Sequence, residues 1–348
     1  MKKFSLLISG IFFFSALSVF ASYEAGQEAF DNRDWVKAVN ELRGPAQSDS
    51  RAQYYMGFLY LNGLGVVKDD KRAAEYLKKA QNEDARAQSL LAYLYNTGRG
   101  VPLDKKRALR LYEQSAEKGV NSSYLNLGIM YLLGDGVVKN YDKAKEYFEK
   151  TDATKYPAVY QYFARLYTED SHLRDYDKAM TYYKMAAKVD SDGDLLVKTN
   201  PMDAYYMLGQ MYQRGVGVSK SFPEASKYYL YAAANNHGPA RYMLGTSYIS
   251  GDGVGKDQIT GYAWILLAAD SQFPQAITKQ DDLFASLSSS EMGRVHQRKL
   301  DLTKQLTSAV DPLADFQVSK EGVLSSTMTQ NQPQKPTRPW RRPSRRRI

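Results

Sequence analysis

A Gly-x-Gly pair followed by Val recurs along this chain at a near-constant interval, and that recurrence constrains the fold more than any other feature. It stands at Gly63, Gly65 and Val66, at Gly98, Gly100 and Val101, at Gly134, Gly136 and Val137, at Gly215, Gly217 and Val218, and at Gly251, Gly253 and Val254. Neighbouring copies lie 35 or 36 residues apart, except across the stretch between Gly134 and Gly215. A period of this length marks chains that stack one supersecondary unit on the next, because a single unit cannot bury its own apolar face.

The residues around each pair say what the unit is. Upstream, Ala52, Met56 and Tyr60 are four apart, as are Ala87, Leu91 and Tyr95, Leu127 and Tyr131, Ala204, Leu208 and Tyr212, and Ala240, Leu244 and Tyr248. Four-residue spacing places them on one face of a helix. The small residue beside the Leu position, as at Gly57, Ala92 and Gly128, lets a second helix approach closely. Glycine accepts the left-handed backbone that ends a helix, so the Gly-x-Gly pair is read as the stop signal and the turn. Downstream, Ala73, Tyr76, Leu77 and Ala80 form a second stripe, repeated in Ala108, Leu111 and Tyr112 and in Ala144, Tyr147 and Phe148. Each unit is therefore a helical hairpin.

One further unit is degenerate. Phe163, Ala164, Tyr167, Ala179, Tyr182, Tyr183, Ala186 and Ala187 keep both stripes, while Asp170 and His172 replace the glycines. An insertion over 188–203 follows it. Gly26, Phe30, Trp35, Ala38 and Leu42 predict a divergent hairpin over 22–51 that caps the N-terminal end. Residues 271–310, including Leu300 and Leu306, predict capping helices at the other end, which a solenoid needs because its last faces have no neighbour. The expected fold is an all-α, right-handed α-solenoid of about six hairpins over 52–270.

The motif Ala-x-x-x-Leu-Gly-x-x-Tyr-x-x-Gly-x-Gly-Val, followed by Ala and paired aromatic or aliphatic residues, resembles the Sel1-like repeat, a relative of the tetratricopeptide repeat. The resemblance covers roughly residues 23–270, and Tyr262 to Ala269 look like the second helix of a closing repeat in bacterial members. It implies an adaptor or receptor for other proteins, often in the bacterial envelope or in host contact, and it brings no catalytic residue with it. A cysteine-rich branch of that family is associated with penicillin binding; this chain has no cysteine.

The start of the chain predicts export. Met1-Lys2-Lys3 precedes an uncharged run from Phe4 to Phe20, then Ala21 and Ser22. A basic start, an apolar stretch and a small residue at its exit make a signal peptide over 1–21. An uncleaved anchor is the alternative, since a run of about 17 residues is the lower limit for crossing a bilayer. The destination is then periplasmic or secreted. Without cysteine, neither a disulfide nor lipid attachment at a signal-peptide cysteine is available, so packing alone must stabilise the fold.

Charge is unevenly placed. The formal net charge of +9 comes from Lys2, Lys3 and the tail, because residues 22–330 hold 38 basic and 38 acidic side chains. The folded body is neutral. From 311 onward the periodicity stops, and Arg338, Trp340, Arg341, Arg342, Arg345, Arg346 and Arg347 crowd a segment that cannot bury a core. This tail is expected to be disordered, with an anionic membrane surface as its candidate partner. Sequence-specific nucleic acid is not expected, since arginines without structure read phosphates and not bases.

At about 100° per residue, signature positions 3, 7, 10 and 11 of each first helix point away from the hairpin core. In tetratricopeptide-like arrays that face lines the concave groove. In the first three repeats these positions hold Tyr54, Phe58, Leu61 and Asn62; Ser89, Tyr93, Asn96 and Thr97; and Leu125, Ile129, Leu132 and Leu133. Eight of these twelve are apolar or aromatic. The later repeats hold mainly polar residues, as in Gln161, Arg165, Gln210, Arg214 and Thr246. An apolar stripe crossing neighbouring repeats suits an extended or helical ligand. Tyr54, Phe58, Leu61, Tyr93, Asn96, Leu125, Ile129, Leu132 and Leu133 are the candidate groove residues, although Tyr54 and Leu125 fit equally well as packing against the adjacent hairpin.

No catalytic constellation stands beside them. Gly251 to Lys256 is similar to a phosphate loop but lacks the following Ser or Thr and sits between helices. Ser115-Ala-Glu-Lys118 has serine-acylase spacing without the companion motifs. Asp190, Asp192 and Asp194 occupy calcium-loop positions without the closing glutamate. His172, His237 and His296 show no metal-ligand spacing and are expected in loops or on the surface. The expectation is therefore no enzyme activity, no cofactor and no metal. The chain is expected to be a monomeric, exported scaffold that binds a protein partner on its concave face, in host interaction or virulence. The alternative is a periplasmic accessory factor for envelope or peptidoglycan enzymes.

Overall fold

The structure, a computed structural model, describes residues 22–188, 200–308, 316–318 and 324–326. The expected signal peptide, the calcium-like loop at 190–194 and the tail arginines with Trp340 lie outside the described residues. Among the described residues, helix α1 covers 22–31 and is followed by α2 (Trp35–Leu42). Three hairpins then pair α3 (Ser50–Asn62) with α4 (Asp70–Ala80), α5 (Ala85–Thr97) with α6 (Lys105–Glu117), and α7 (Asn121–Leu133) with α8 (Tyr141–Lys150). The degenerate unit is α9 (Val159–Glu169) with α10 (Tyr176–Ala187). Beyond the insertion come α11 (Pro201–Arg214) with α12 (Phe222–Ala234), and α13 (Gly238–Ser250) with α14 (Gln258–Asp270). Helices α15 (Pro274–Ser286) and α16 (Ser289–Ser308) follow.

The stop and start signals act as the residues dictate. Gly63, Gly98, Gly134, Gly215 and Gly251 each cap a first helix in the left-handed region, with φ between +68° and +86°. Each return helix opens on a side chain that accepts a backbone N–H: Asp69, Asp104, Asn140, Asp175, Ser221 and Asp257. Such caps satisfy amides that would otherwise lack partners, at roughly 1 kcal/mol each.

The second glycine of each pair also sets the spacing between repeats. A Cβ on Gly65 would lie 2.4 Å from the Trp35 carbonyl oxygen, and one on Gly100 would lie 2.0 Å from that of Asp70. On Gly136 it would meet Lys105 Cβ at 2.5 Å, on Gly217 Tyr176 Cβ at 2.5 Å, and on Gly253 the Phe222 carbonyl at 2.3 Å. Each turn thus lies against the first turn of the preceding return helix.

Within a hairpin, a small residue receives a large one about 20 positions later. A Cβ on Gly57 would meet Leu77 at 2.7 Å, on Gly128 it would meet Phe148 at 2.3 Å, and on Gly209 it would meet Tyr229 at 2.5 Å. Leu77, Phe148 and Tyr229 are buried, each worth roughly 1.5–3 kcal/mol of apolar transfer. Tyrosines join the two helices at one side of the hairpin. Tyr60 stacks on Tyr76 at 5.8 Å, Tyr131 on Tyr147 at 5.7 Å, Tyr167 on Tyr182 at 5.8 Å and Tyr212 on Tyr228 at 5.4 Å.

The chain divides into two compact units, with described residues through Tyr162 in the first and those from Phe163 in the second. The division falls in the repeat that lacks Gly-x-Gly. There, Asp170 makes the turn instead, its carboxylate accepting from the N–H groups of His172 (2.8 Å) and Leu173 (2.7 Å). In the first unit, α1 approaches α2 where Gly26 lies against Leu42, and Tyr23, Ala29, Ala38, Val39 and Leu42 are buried in one core with the first repeats.

In the second unit α15 and α16 both pack on α14. Leu300 lies in α16 on its exposed side, and Val295 and Leu302, seven apart on one face, are the buried residues of that helix. The reading of 311 onward as unstructured is revised at six positions. Strands β1 (Phe316–Val318) and β2 (Leu324–Ser326) pair antiparallel, with Phe316 opposite Ser326 and Val318 opposite Leu324. Phe and Val favour strands, and pairing satisfies their backbone groups.

Candidate protein-binding face

The candidate groove residues all lie in the first unit, on α3, α5 and α7, and the structure sorts them by depth. Tyr54, Phe58, Tyr93, Asn96 and Ile129 are half-buried, and Leu133 is exposed. Leu61, Leu125 and Leu132 are buried, which removes them as partner contacts. Each first helix is covered by its own return helix and by neighbouring hairpins. Position 10 in the first and third repeats and position 3 in the third therefore point into packing instead of solvent. Over Leu61, the next repeat's Arg99 donates from Nη2 to the Leu61 carbonyl at 3.3 Å.

Position 7 holds the accessible apolar line: Phe58, Tyr93 and Ile129. Phe30 on α1 extends it, its ring 5.4 Å from that of Phe58, and the Tyr54 ring lies 6.5 Å from that of Phe58. The sequence carried no sign of Phe30's role, because it falls outside the repeat register.

Two arginines missed by the sequence reading border this line. Arg86 lies 4.3 Å from the Tyr54 ring centre and forks onto Asp84, with Nε to Oδ1 at 3.1 Å and Nη2 to Oδ2 at 2.6 Å. Burial opposes the Arg86 charge, but the Asp84 bonds outweigh it, so the guanidinium holds its proton more firmly than usual. Arg99 forks onto Asp70 at 2.9 and 2.7 Å and donates to the Tyr93 hydroxyl at 3.2 Å. Those bonds raise Arg99 and hold Asp70 below the ordinary carboxylate range. Burial pushes the Tyr54 hydroxyl well above its ordinary value, so it stays protonated.

The third repeat lacks such an arginine. Ser122 stands where Arg51 and Arg86 precede their helices' Ala, and its Oγ lies 2.9 Å from Ser89 Oγ. Half-buried Asn126 beside it donates from Nδ2 to the Ser122 carbonyl at 2.8 Å. The face therefore passes from aromatic and arginine-bordered at α3 and α5 to aliphatic and amide at α7.

In the second unit several equivalent positions are tied into polar contacts, while Tyr242 and Ile249 pack on an apolar cluster. Gln210 donates to the Tyr206 hydroxyl at 2.7 Å, and Gln213 accepts from Tyr229 at 2.8 Å. His237 lies in the loop before α13 and not on the surface. It is buried and caps α13, with Nδ1 accepting from Ala240 N–H at 3.2 Å and Nε2 2.9 Å from Asp203 Oδ1. A cap position next to a packed helix start leaves little solvent around the ring. His172 and His296 are exposed.

The remaining motif matches have structural roles. Buried Ser115 donates to the Ala85 carbonyl at 2.6 Å. Gly251 to Lys256 is the repeat turn. Among the described residues no cluster of three or more His, Asp or Glu is placed to hold a metal ion, and no helix is long and apolar enough to cross a membrane.

Comparison with protein families matches the Sel1 repeat at 50–80, 85–120, 121–151, 158–191, 203–237 and 238–273. The degenerate unit is thus one of six. No curated protein matches significantly. Among solved structures, the chain is similar to a Sel1 repeat protein from Oxalobacter formigenes, at 23% identity and TM-score 0.60, over 71% of this chain and 96% of the other. It is also similar to a protective antigen of uropathogenic Escherichia coli that displays an SLR fold, at 23% identity and TM-score 0.53, over 89% of this chain and 73% of the other. At this identity the likeness concerns the fold. With six matched repeats over more than half its length, on helical hairpins capped and spaced by the repeat's own glycines, the chain belongs to the Sel1 repeat family.

Proposed function

We propose that this protein is an exported, non-catalytic scaffold that captures a partner protein on the first-helix face of its N-terminal repeats. Sel1 repeat proteins are generally protein-interaction scaffolds, and this chain has the hairpin array that such binding uses. The observation that carries the reading is the half-buried line Phe58, Tyr93 and Ile129, flanked by Tyr54 and Leu133, on three successive hairpins. Partly exposed aromatic and aliphatic side chains at one position per repeat offer anchors to an amphipathic helix or extended segment. Export rests on the basic, apolar and small-residue pattern of residues 1–21, and the arginine-rich tail is read as a separate anionic-surface adhesive.

The test uses the full chain as bait, with cross-linking, in separated envelope and culture-medium fractions. Phe58→Ser, Tyr93→Ser and Ile129→Ser combined should abolish capture of the identified prey while the helical circular dichroism and thermal midpoint stay close to wild type. Undiminished capture by the folded triple variant refutes the groove. An envelope enzyme as prey favours an accessory role in the periplasm, and a host protein favours a secreted effector. Full-length protein found only in the cytoplasmic fraction refutes export.

A further inference from the structure

The described residues of the first unit leave five large apolar side chains exposed, and all five lie at the turn end of its hairpins. Val67 and Val138 are each 88% exposed, Val36 is 63%, Leu103 is 59% and Leu133 is 46%. Isolated exposed valines need no explanation; clustering at one edge does. The edge is continuous because each Gly-x-Gly turn abuts the preceding return helix's start: Gly65 against Trp35 and Val36, Gly100 against Asp70 and Lys71, Gly136 against Lys105.

The same edge is basic although the body as a whole is neutral. Residues 34–37, 63–72, 98–107 and 134–143 hold ten Lys and Arg against six Asp. Most of those carboxylates are engaged. Asp34, Asp69 and Asp104 cap helices, Asp70 binds Arg99, and Asp135 pairs with Lys105. Lys68, Lys71, Lys106, Lys139 and Lys143 are exposed and form no ion pair among the described residues. Equivalent turns of the second unit, 215–224 and 251–260, hold two Lys against three acids, with Ser219 and Gly255 at the Val67 position.

We infer that the turn edge of the N-terminal repeats docks on an anionic lipid bilayer, with Val67, Leu103 and Val138 entering the headgroup boundary and the unpaired lysines meeting lipid phosphates. Separate apolar tips on successive turns, with Lys68 next to Val67, Lys139 next to Val138 and Lys106 close after Leu103, suit a fluid, negatively charged surface, which requires no matching shape. Lysine stems also let the ammonium stay in the headgroups while valine goes deeper. Leu133 at the end of α7 is shared with the first-helix face, whereas Val67, Leu103 and Val138 belong neither to that face nor to the tail.

Because the chain has no cysteine, Val67→Cys, Leu103→Cys or Val138→Cys gives one labelling site in the full-length protein. An environment-sensitive fluorophore at each should shift to the blue and brighten with vesicles containing phosphatidylglycerol, and not with phosphatidylcholine alone. The same fluorophore on Ser219→Cys should not change. Val67→Ser, Leu103→Ser and Val138→Ser combined should lower vesicle cosedimentation at least several-fold while the chain stays folded. Changing the seven tail Lys and Arg to Ser in the full chain should leave the fluorophore shift in place. The inference is overturned by unshifted fluorescence at all three turns, by binding that depends on the tail alone, or by turn variants that lose a protein partner and keep vesicle binding.

Discussion

Replacing Gly100 by Ala tests whether the repeat glycines act through backbone conformation alone or also through contact between repeats. Gly100 has φ of +66°, where an L-residue costs roughly 1–2 kcal/mol. Its added Cβ would also stand 2.0 Å from the Asp70 carbonyl oxygen and 2.3 Å from its carbonyl carbon, both backbone atoms that cannot rotate aside. Separating the turn from α4 adds a packing loss of about 1–3 kcal/mol and disturbs the Arg99–Asp70 fork that bridges the same two repeats. Gly100→Ala should therefore cost about 2–5 kcal/mol. Gly119 is the control, with φ of +82° and nothing within 4 Å of a built Cβ, so Gly119→Ala should cost only the roughly 1–2 kcal/mol of backbone strain. Because repeat arrays can lose repeats without unfolding globally, the assay pairs urea denaturation with amide hydrogen exchange. Gly100→Ala should accelerate exchange first in α3 to α6. Equal losses in the two variants, or exchange that rises uniformly, would refute the contact role of the second glycine.

Tyr112 is fully buried, its hydroxyl has no hydrogen-bond partner among the described residues, and burial drives its pKa far up. Since the third repeat uses Phe148 at the same place, Tyr112→Phe should be neutral or stabilising by up to about 1 kcal/mol in urea titration; a clear loss would reveal a partner for the hydroxyl. Asp70 lies below the ordinary carboxylate range because of Arg99, so its contribution is present above about pH 4 and fades as pH falls through the depressed value. Asp70→Asn should cost about 1 kcal/mol at neutral pH and converge with wild type near pH 2; a gap that persists in acid contradicts the ion pair. Buried Arg241 donates to the carbonyls of Ala233 (2.9 Å) and Leu267 (3.2 Å) and to Ser271 Oγ (2.9 Å), with burial pulling its pKa down. Arg241→Ala should destabilise the second unit by about 2–4 kcal/mol, read as faster exchange in α13 and α14, and a cost under 1 kcal/mol would show that water replaces the guanidinium.

The hairpin architecture was legible because it rests on local chemistry repeated in register. Four-residue spacing fixes a helical face, and a glycine that must turn left-handed fixes where that helix stops, wherever the surrounding chain goes. The pairing of Gly57 with Leu77 and of Gly128 with Phe148 follows from the same repeat. Even the unit without glycines was readable from its two stripes, and Asp170 shows how the turn is made without them.

Depth was not legible, because it depends on what the neighbouring hairpins cover. Helical angle alone put Leu61 and Leu132 on the free face and left Leu125 equally open to packing, yet all three are buried, whereas Phe58, Tyr93 and Ile129 keep part of their surface. Arg99 became visible only as a fork onto Asp70 of the preceding repeat, Arg86 only by its place over the Tyr54 ring, and His237 only as a buried cap. Local chemistry along the chain was enough for the repeat, its helices and the turn within each hairpin. Tertiary structure decided that the second glycine of each pair is a contact between repeats and that Val67, Leu103 and Val138 stand free on one basic edge. Periodicity specifies direction around one helix, while exposure is set by the distance to the next.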